Sequence, residues 1–180
     1  MNREQALEIV NRNIKNPQMV KHMLATEAVM RALARRFGED EGRWGLAGLL
    51  HDADAEIATP EKQGLVVPNL TQNGLDEEST TAIASHNPYT GIKPKGRMGW
   101  ALYAADPLTG LIVASALVLP DKKLAALTAQ SVLKRYAETR FAKGANREQI
   151  AASSELGVTL EEFIEIGLAA MKAIAENIGL

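Results

Sequence analysis

The stretch Leu46-Ala47-Gly48-Leu49-Leu50-His51-Asp52-Ala53-Asp54 constrains this chain more than any other. It reads as an apolar helical run that ends abruptly in a histidine beside an aspartate. An unpaired carboxylate costs several kcal/mol to bury, so such a group is paired, hydrogen-bonded or bound to metal. The pair therefore demands partners from elsewhere in the chain and a fold that delivers them. It marks His51 and Asp52 as the centre of a candidate metal site.

The remainder reads as helices. Only 4% of the residues are aromatic, Ala and Leu are frequent, and no segment sustains period-two alternation. Packed helices are favoured over sheets on both counts. The expected architecture is all-α, a single-domain helical bundle over residues 1–180 with about seven to eight helices. Its core is expected at about 18–140, with C-terminal helices over 146–178 packed on it.

The spacing predicts helices over about 2–14, 17–37, 40–52, 75–85, 98–119, 121–140, 146–155 and 160–178. Asn16-Pro17 separates the first two, and Gly38 stops the second. Over 53–73, Pro60, Gly64 and Pro68 dissolve the pattern into a loop with short helical turns. Loops of this length inside a domain are often functional. Pro107 removes a backbone donor within 98–119, so that helix is expected to be interrupted or kinked. Asp121 reads as the cap of the next helix, and Thr159 with Glu162 as a capping box for the last.

The histidines are His22, His51 and His86, each in or at the end of a predicted helix. Imidazole with carboxylate suits zinc, iron, manganese, cobalt or nickel. Adjacent helical residues project about 100° apart, so His51 and Asp52 share an ion only near a helix end, with other helices supplying further ligands. Asp106 lies in a mostly apolar stretch, where a lone charge demands a partner. As the residue before Pro107 it also suits a helix N-cap. The chain has no cysteine, which excludes disulfides, thiolate zinc sites and a cysteine nucleophile.

The order His22, His51-Asp52, Asp106 resembles the H…HD…D signature of the HD superfamily of metal-dependent phosphohydrolases. Leu49-Leu50-His51-Asp52, Ser85-His86-Asn87 and Ala105-Asp106-Pro107-Leu108-Thr109-Gly110-Leu111 resemble its HDIG-type branch. So do Pro120-Asp121-Lys122-Lys123-Leu124 and Phe141-Ala142-Lys143-Gly144, and the likeness covers roughly residues 18 to 178. Two departures stand out. Ala53-Asp54 replaces the eponymous Ile-Gly, and Gln63 follows Glu61-Lys62 where relatives carry a histidine. The resemblance implies one divalent transition-metal ion (Mn, Fe, Co, Ni or Zn) held by His22, His51, Asp52 and Asp106. His86 stands outside that set as a further site residue, and a second ion is not favoured.

By the same resemblance, the expected function is hydrolysis of a nucleotide or other small phosphoester by a metal-activated water. Asp52 or Asp54 would take the water's proton, with His86 in support. Lys93, Lys95 and Arg97 form a basic loop that could hold phosphate oxygens. Lys122 and Lys123 join them, because positive charge just after a helix cap is disfavoured by the helix dipole. An alternative reading is a regulatory module that binds metal and a nucleotide-like ligand without turnover. A third is a helical scaffold with no metal. The net charge of −2 argues against long nucleic acid as a partner. The N-terminus is not that of a signal peptide, and the longest apolar run, 111–119, falls short of the roughly 20 residues of a membrane span. A cytoplasmic protein without membrane contact, monomeric or homodimeric, is expected.

Overall fold

The computed structural model describes residues 1–72 and 74–180; Asn73, the last residue of the loop expected over 53–73, lies outside the described residues. Among the described residues there are ten α-helices and no strand. They are α1 (Arg3–Asn13), α2 (Pro17–Phe37), α3 (Glu41–Leu50), α4 (Val67–Leu70), α5 (Glu77–His86), α6 (Gly96–Leu117), α7 (Ala129–Ala137), α8 (Arg147–Ala151), α9 (Leu160–Ala173) and α10 (Ala175–Ile178). The count exceeds the expected seven to eight because α4, α8 and α10 are single turns. One continuous apolar core runs from Ala6 in α1 to Ile178 in α10.

The breaks read from the sequence act as caps. Asn16 accepts from Gln18 N while Pro17 fills the first position of α2, where no donor is needed. Gly38 ends α2 at φ +69°, a left-handed turn that favours glycine. Asp40 then caps α3 through Arg43 N.

α2 and α3 form an antiparallel pair whose separation is set by Gly48. A Cβ built there would meet Thr26 O at 2.8 Å and Met30 Cγ at 2.9 Å, so a side chain would force the helices apart. This close approach matters one turn further on. His51 follows Gly48 by three residues and His22 precedes Thr26 by four, so the same pairing brings the two histidines together.

α6 is the central helix, packed against α5, α2, α9 and α8. By length and composition it is long and apolar enough to cross a membrane, although most of it is buried in the chain's own core. α6 also continues through Pro107, against the expected interruption. Proline leaves the carbonyl of Tyr103 without its helical donor. The buried amide of Gln149 approaches that carbonyl at 3.5 Å and donates to His86 O at 3.2 Å, so α8 supplies the missing partner.

Two further expectations fail locally. Asp121 caps no helix: it accepts from Lys123 N at 3.2 Å, Lys122 takes a left-handed φ of +53°, and α7 begins only at Ala129. Leu124 and Leu127 are buried around a 3-10 turn, and Thr128 forms a capping box with Ser131 instead. Thr159 does cap α9 by accepting from Glu162 N. Glu162 itself pairs with Arg36 at 2.8 Å, so packing against α2 takes the place of the box's second bond.

Candidate metal centre

Four elements meet at one point. α2 contributes His22, the end of α3 contributes His51 and Asp52, α5 ends in His86, and the middle of α6 contributes Asp106. His22 Nε2 lies 3.1 Å from His51 Nε2 and 3.1 Å from Asp106 Oδ1. Asp52 Oδ2 faces His51 Nε2 at 3.3 Å and His22 Nε2 at 3.5 Å. Its other oxygen, Oδ1, faces His86 Nε2 at 3.3 Å and accepts from the amide of Gln63. Two groups of ligand atoms each fall within 4.8 Å of one another: His22, His51 and Asp52, and His51, His86 and Asp106. His86, set outside the ligand set by sequence, thus brings its Nε2 among the ligand atoms.

The second nitrogen of each ring is already committed. His51 Nδ1 bonds to Gly48 O at 2.8 Å, and His86 Nδ1 bonds to Ile83 O. The Thr109 hydroxyl donates to Asp106 O at 2.8 Å, so its lone pair accepts from His22 Nδ1 at 3.0 Å. Each neutral imidazole therefore carries its proton on Nδ1 and turns an Nε2 lone pair inward. This is how ligand histidines are oriented in metal sites. Thr109, Gly48 and the Ile83 carbonyl were not singled out from sequence. The spacing of Gly48 from His51 and of Thr109 from Asp106 was visible there, but their bonds depend on helix pairing.

Five donor pairs among His22, His51, Asp52 and Asp106 can be set against coordination geometry. Two donors bonded to one ion at about 2.1 Å lie about 3.0 Å apart at a right angle and about 3.4 Å apart at the tetrahedral angle. Three distances from 3.1 to 3.3 Å fall within that span, and His22 Nε2 to Asp52 Oδ2, at 3.5 Å, lies just beyond its tetrahedral end. His51 Nε2 to Asp106 Oδ1, at 3.8 Å, corresponds to a wider angle. These buried His/Asp groups can hold a metal ion.

Electrostatics point the same way. Among the described residues, no lysine or arginine pairs with Asp52 or Asp106; their charge partners are all histidines, and Asp52 accepts in addition from the neutral amide of Gln63. Burial pushes the Asp52 carboxyl up, yet the charge and hydrogen bond of His51, with those of His86, hold it well below the usual carboxylate range. Burial likewise opposes ionisation of Asp106, and its bond to His22 outweighs that and lowers it. The histidines mirror this. Burial lowers His22 and His86, but Asp106 raises the first and Asp52 carries the second up to about 9. Two buried carboxylates call for positive charge, from protons on the rings or from a cation between them.

The other sequence candidates do not gather here. Asp54 is fully buried and its two oxygens accept from Gly64 N (2.9 and 3.0 Å) and Val66 N (3.1 Å), tying down the mid loop. Arg97 pairs with Glu39 at 3.3 Å and lies over the Phe37 ring. It stands nine residues before Asp106, about 14 Å along α6. Lys122 and Lys123 are exposed beyond the other end of α6, whose last residue is about 16 Å from Asp106 along the axis. With no helix starting at Asp121, the dipole argument for that pair lapses. Lys93 and Lys95 are exposed, and Lys95 shares a groove with Arg43, Asp76 and Glu78.

Compared with known sequences, the chain matches no protein-family model and no curated protein.

Proposed function

We propose that the protein is a metal-dependent phosphohydrolase of the HD superfamily, acting on a small phosphoester. The observation that carries this reading is the pair of ligand groups that share His51, one made with His22 and Asp52 and the other with His86 and Asp106, each with its ligand atoms within 4.8 Å of one another and with every Nδ1 already held. Bound there, a divalent cation supplies acidified water and polarises a phosphoryl oxygen. His22, His51, Asp52 and Asp106 would hold it, with His86 beside them.

The chain's own groups account for the rest. His51, Asp52 and His86 are almost fully buried and close one side to bulk water. Asp106 is our choice of proton acceptor in place of Asp54. Its Oδ2 has no hydrogen bond among the described residues, and its side chain is 25% exposed. In the reaction the water oxygen forms the new P–O bond and gives up a proton to a carboxylate. The ester P–O bond breaks and the leaving oxygen takes up a proton.

A non-catalytic binding module is the second reading. It is favoured by the lack of an arginine or lysine on the centre among the described residues, since phosphoryl transfer ordinarily uses such a cation. Elemental analysis of untagged wild type and His51→Ala, followed by a phosphoesterase screen, tests both. The hydrolase reading expects about one ion per chain in wild type, with ion and turnover lost together in the variant. Metal without turnover would favour the module. No metal after incubation with manganese, cobalt and nickel would remove both readings.

A further inference from the structure

The centre opens to one side only. The side chains of His51, Asp52 and His86 are 0%, 8% and 4% exposed, while those of His22 and Asp106 are 23% and 25% exposed. On that open side lies a cavity of about 380 Å³ with His22 in its wall, a size suited to a small ligand. Its walls continue the helix faces that carry the centre. Gln18 lies one turn before His22 on α2, and Gly110, Val113 and Leu117 follow Asp106 at helical spacing on α6.

The lining has a definite chemistry. Val113, Leu117 and Ile178 make it apolar, and Leu117 is 49% exposed. Lys21 is its cation, and no Phe, Tyr or Trp contributes among the described residues. Recognition of a nucleobase relies on stacking and on hydrogen bonds to the base edge. Among the described residues the one ring in this groove is the His22 imidazole, which the centre already engages, and Gln18 is the one neutral side-chain amide. Gly110 leaves room, since a Cβ built there meets nothing within 4 Å.

From these features we propose that the ligand is a small soluble phosphomonoester with an apolar, non-nucleotide body. Its phosphate sits beside His22, with the Lys21 side chain reaching it from its place against Gly179, and its body lies along the α2–α6 groove. The proposal rests on reading the centre as a phosphoester site.

Calorimetric titration of the metal-loaded protein with n-alkylphosphonates from methyl to octyl, and with AMP, tests the groove without requiring turnover. Affinity should tighten by about two- to fourfold per methylene until the groove is filled, and AMP should bind no better than methylphosphonate. Gly110→Leu, at an exposed helix position, should abolish the chain-length dependence. Lys21→Gln should weaken every phosphonate by about tenfold, as should chelation of the metal. Elemental analysis of both variants should show wild-type metal content, which separates damage to the groove from damage to the centre. Affinity independent of chain length, tighter binding of AMP than of octylphosphonate, or binding indifferent to chelation would overturn the proposal. So would a Gly110→Leu effect confined to oligomeric state in light scattering. Tight phosphonate binding with no hydrolysis of octyl phosphate would uphold the groove and remove the hydrolase reading alone.

Discussion

α2 carries one end of each of two buried polar clusters, and they are balanced in opposite ways. Glu27, 3% exposed, accepts from Arg3 Nε at 2.7 Å and Arg31 Nε at 2.9 Å on one oxygen, and from Arg3 Nη2 at 2.9 Å on the other. Guanidinium groups stay protonated at any ordinary pH, so this carboxylate is neutralised by the chain itself. Five residues earlier, His22 opens a cluster of two carboxylates and three imidazoles with no permanent cation among the described residues. Imidazole carries charge only conditionally. Burial of acidic groups is therefore common to both clusters. The missing fixed positive charge is what singles out the second as a place for an ion.

The strongest way to break the comparison is to remove ligands on one side only. Asp52→Ala should lower bound metal by about a hundredfold or more in affinity, read by elemental analysis after dialysis, because it removes a charged donor directly. Glu27→Gln should leave metal content unchanged. If both variants lost metal equally, the two clusters would not differ in kind. On stability the order reverses. Glu27→Ala strips the partner from Arg3 and Arg31, at a cost of about 3 kcal/mol at the low end for a buried pair, since both arginines are partly exposed. Urea unfolding monitored by circular dichroism would show it as a lower midpoint.

A third test uses pH. In chelated protein His86 titrates near 9, above its ordinary 6.5, because Asp52 outweighs the burial that lowers it. A raised histidine pKa contributes stability that is complete below about 6.5 and lost as pH climbs through about 9. The melting temperature of chelated protein should therefore fall over that window. With metal bound, the rings must be deprotonated, so the metal's contribution should grow across the same pH rise. Parallel slopes with and without chelator would contradict an ion at the centre. The smallest effect belongs to Thr109→Val, which removes the acceptor for His22 Nδ1 while keeping the buried shape. Metal affinity should drop by about tenfold in a competition titration, with the melting temperature of the chelated protein little changed.

Much of the helical layout was legible in the sequence because its determinants are local. Asn16-Pro17, Gly38 and Asp40 act within a turn of where they stand, and the apolar spacing of α9 needs only its own residues. The misreadings share one cause. Asp121 and the second half of the Thr159 box have the right local chemistry, but burial of Leu124 and Leu127 and the pairing of Glu162 with Arg36 override it. Pro107 likewise carries a local penalty that Gln149 relieves from 42 residues away.

The candidate centre divides along the same line. Residue type alone determined which groups were suspect: histidines and aspartates at the ends of apolar stretches, costly to bury unless partnered. The sequence already set Asp52 among the ligands and left Asp54 a candidate proton acceptor; only the tertiary structure took Asp54, also buried, away from the centre. One turns to the imidazoles and the other to the amides of Gly64 and Val66. It also carried Arg97 and Lys122 toward opposite ends of α6 and brought His86 in among the ligand atoms. The physical reason is that helix-forming signals are read within a few residues. A carboxylate's partner, a ring's tautomer and a cavity's wall are set by whichever helices pack against them.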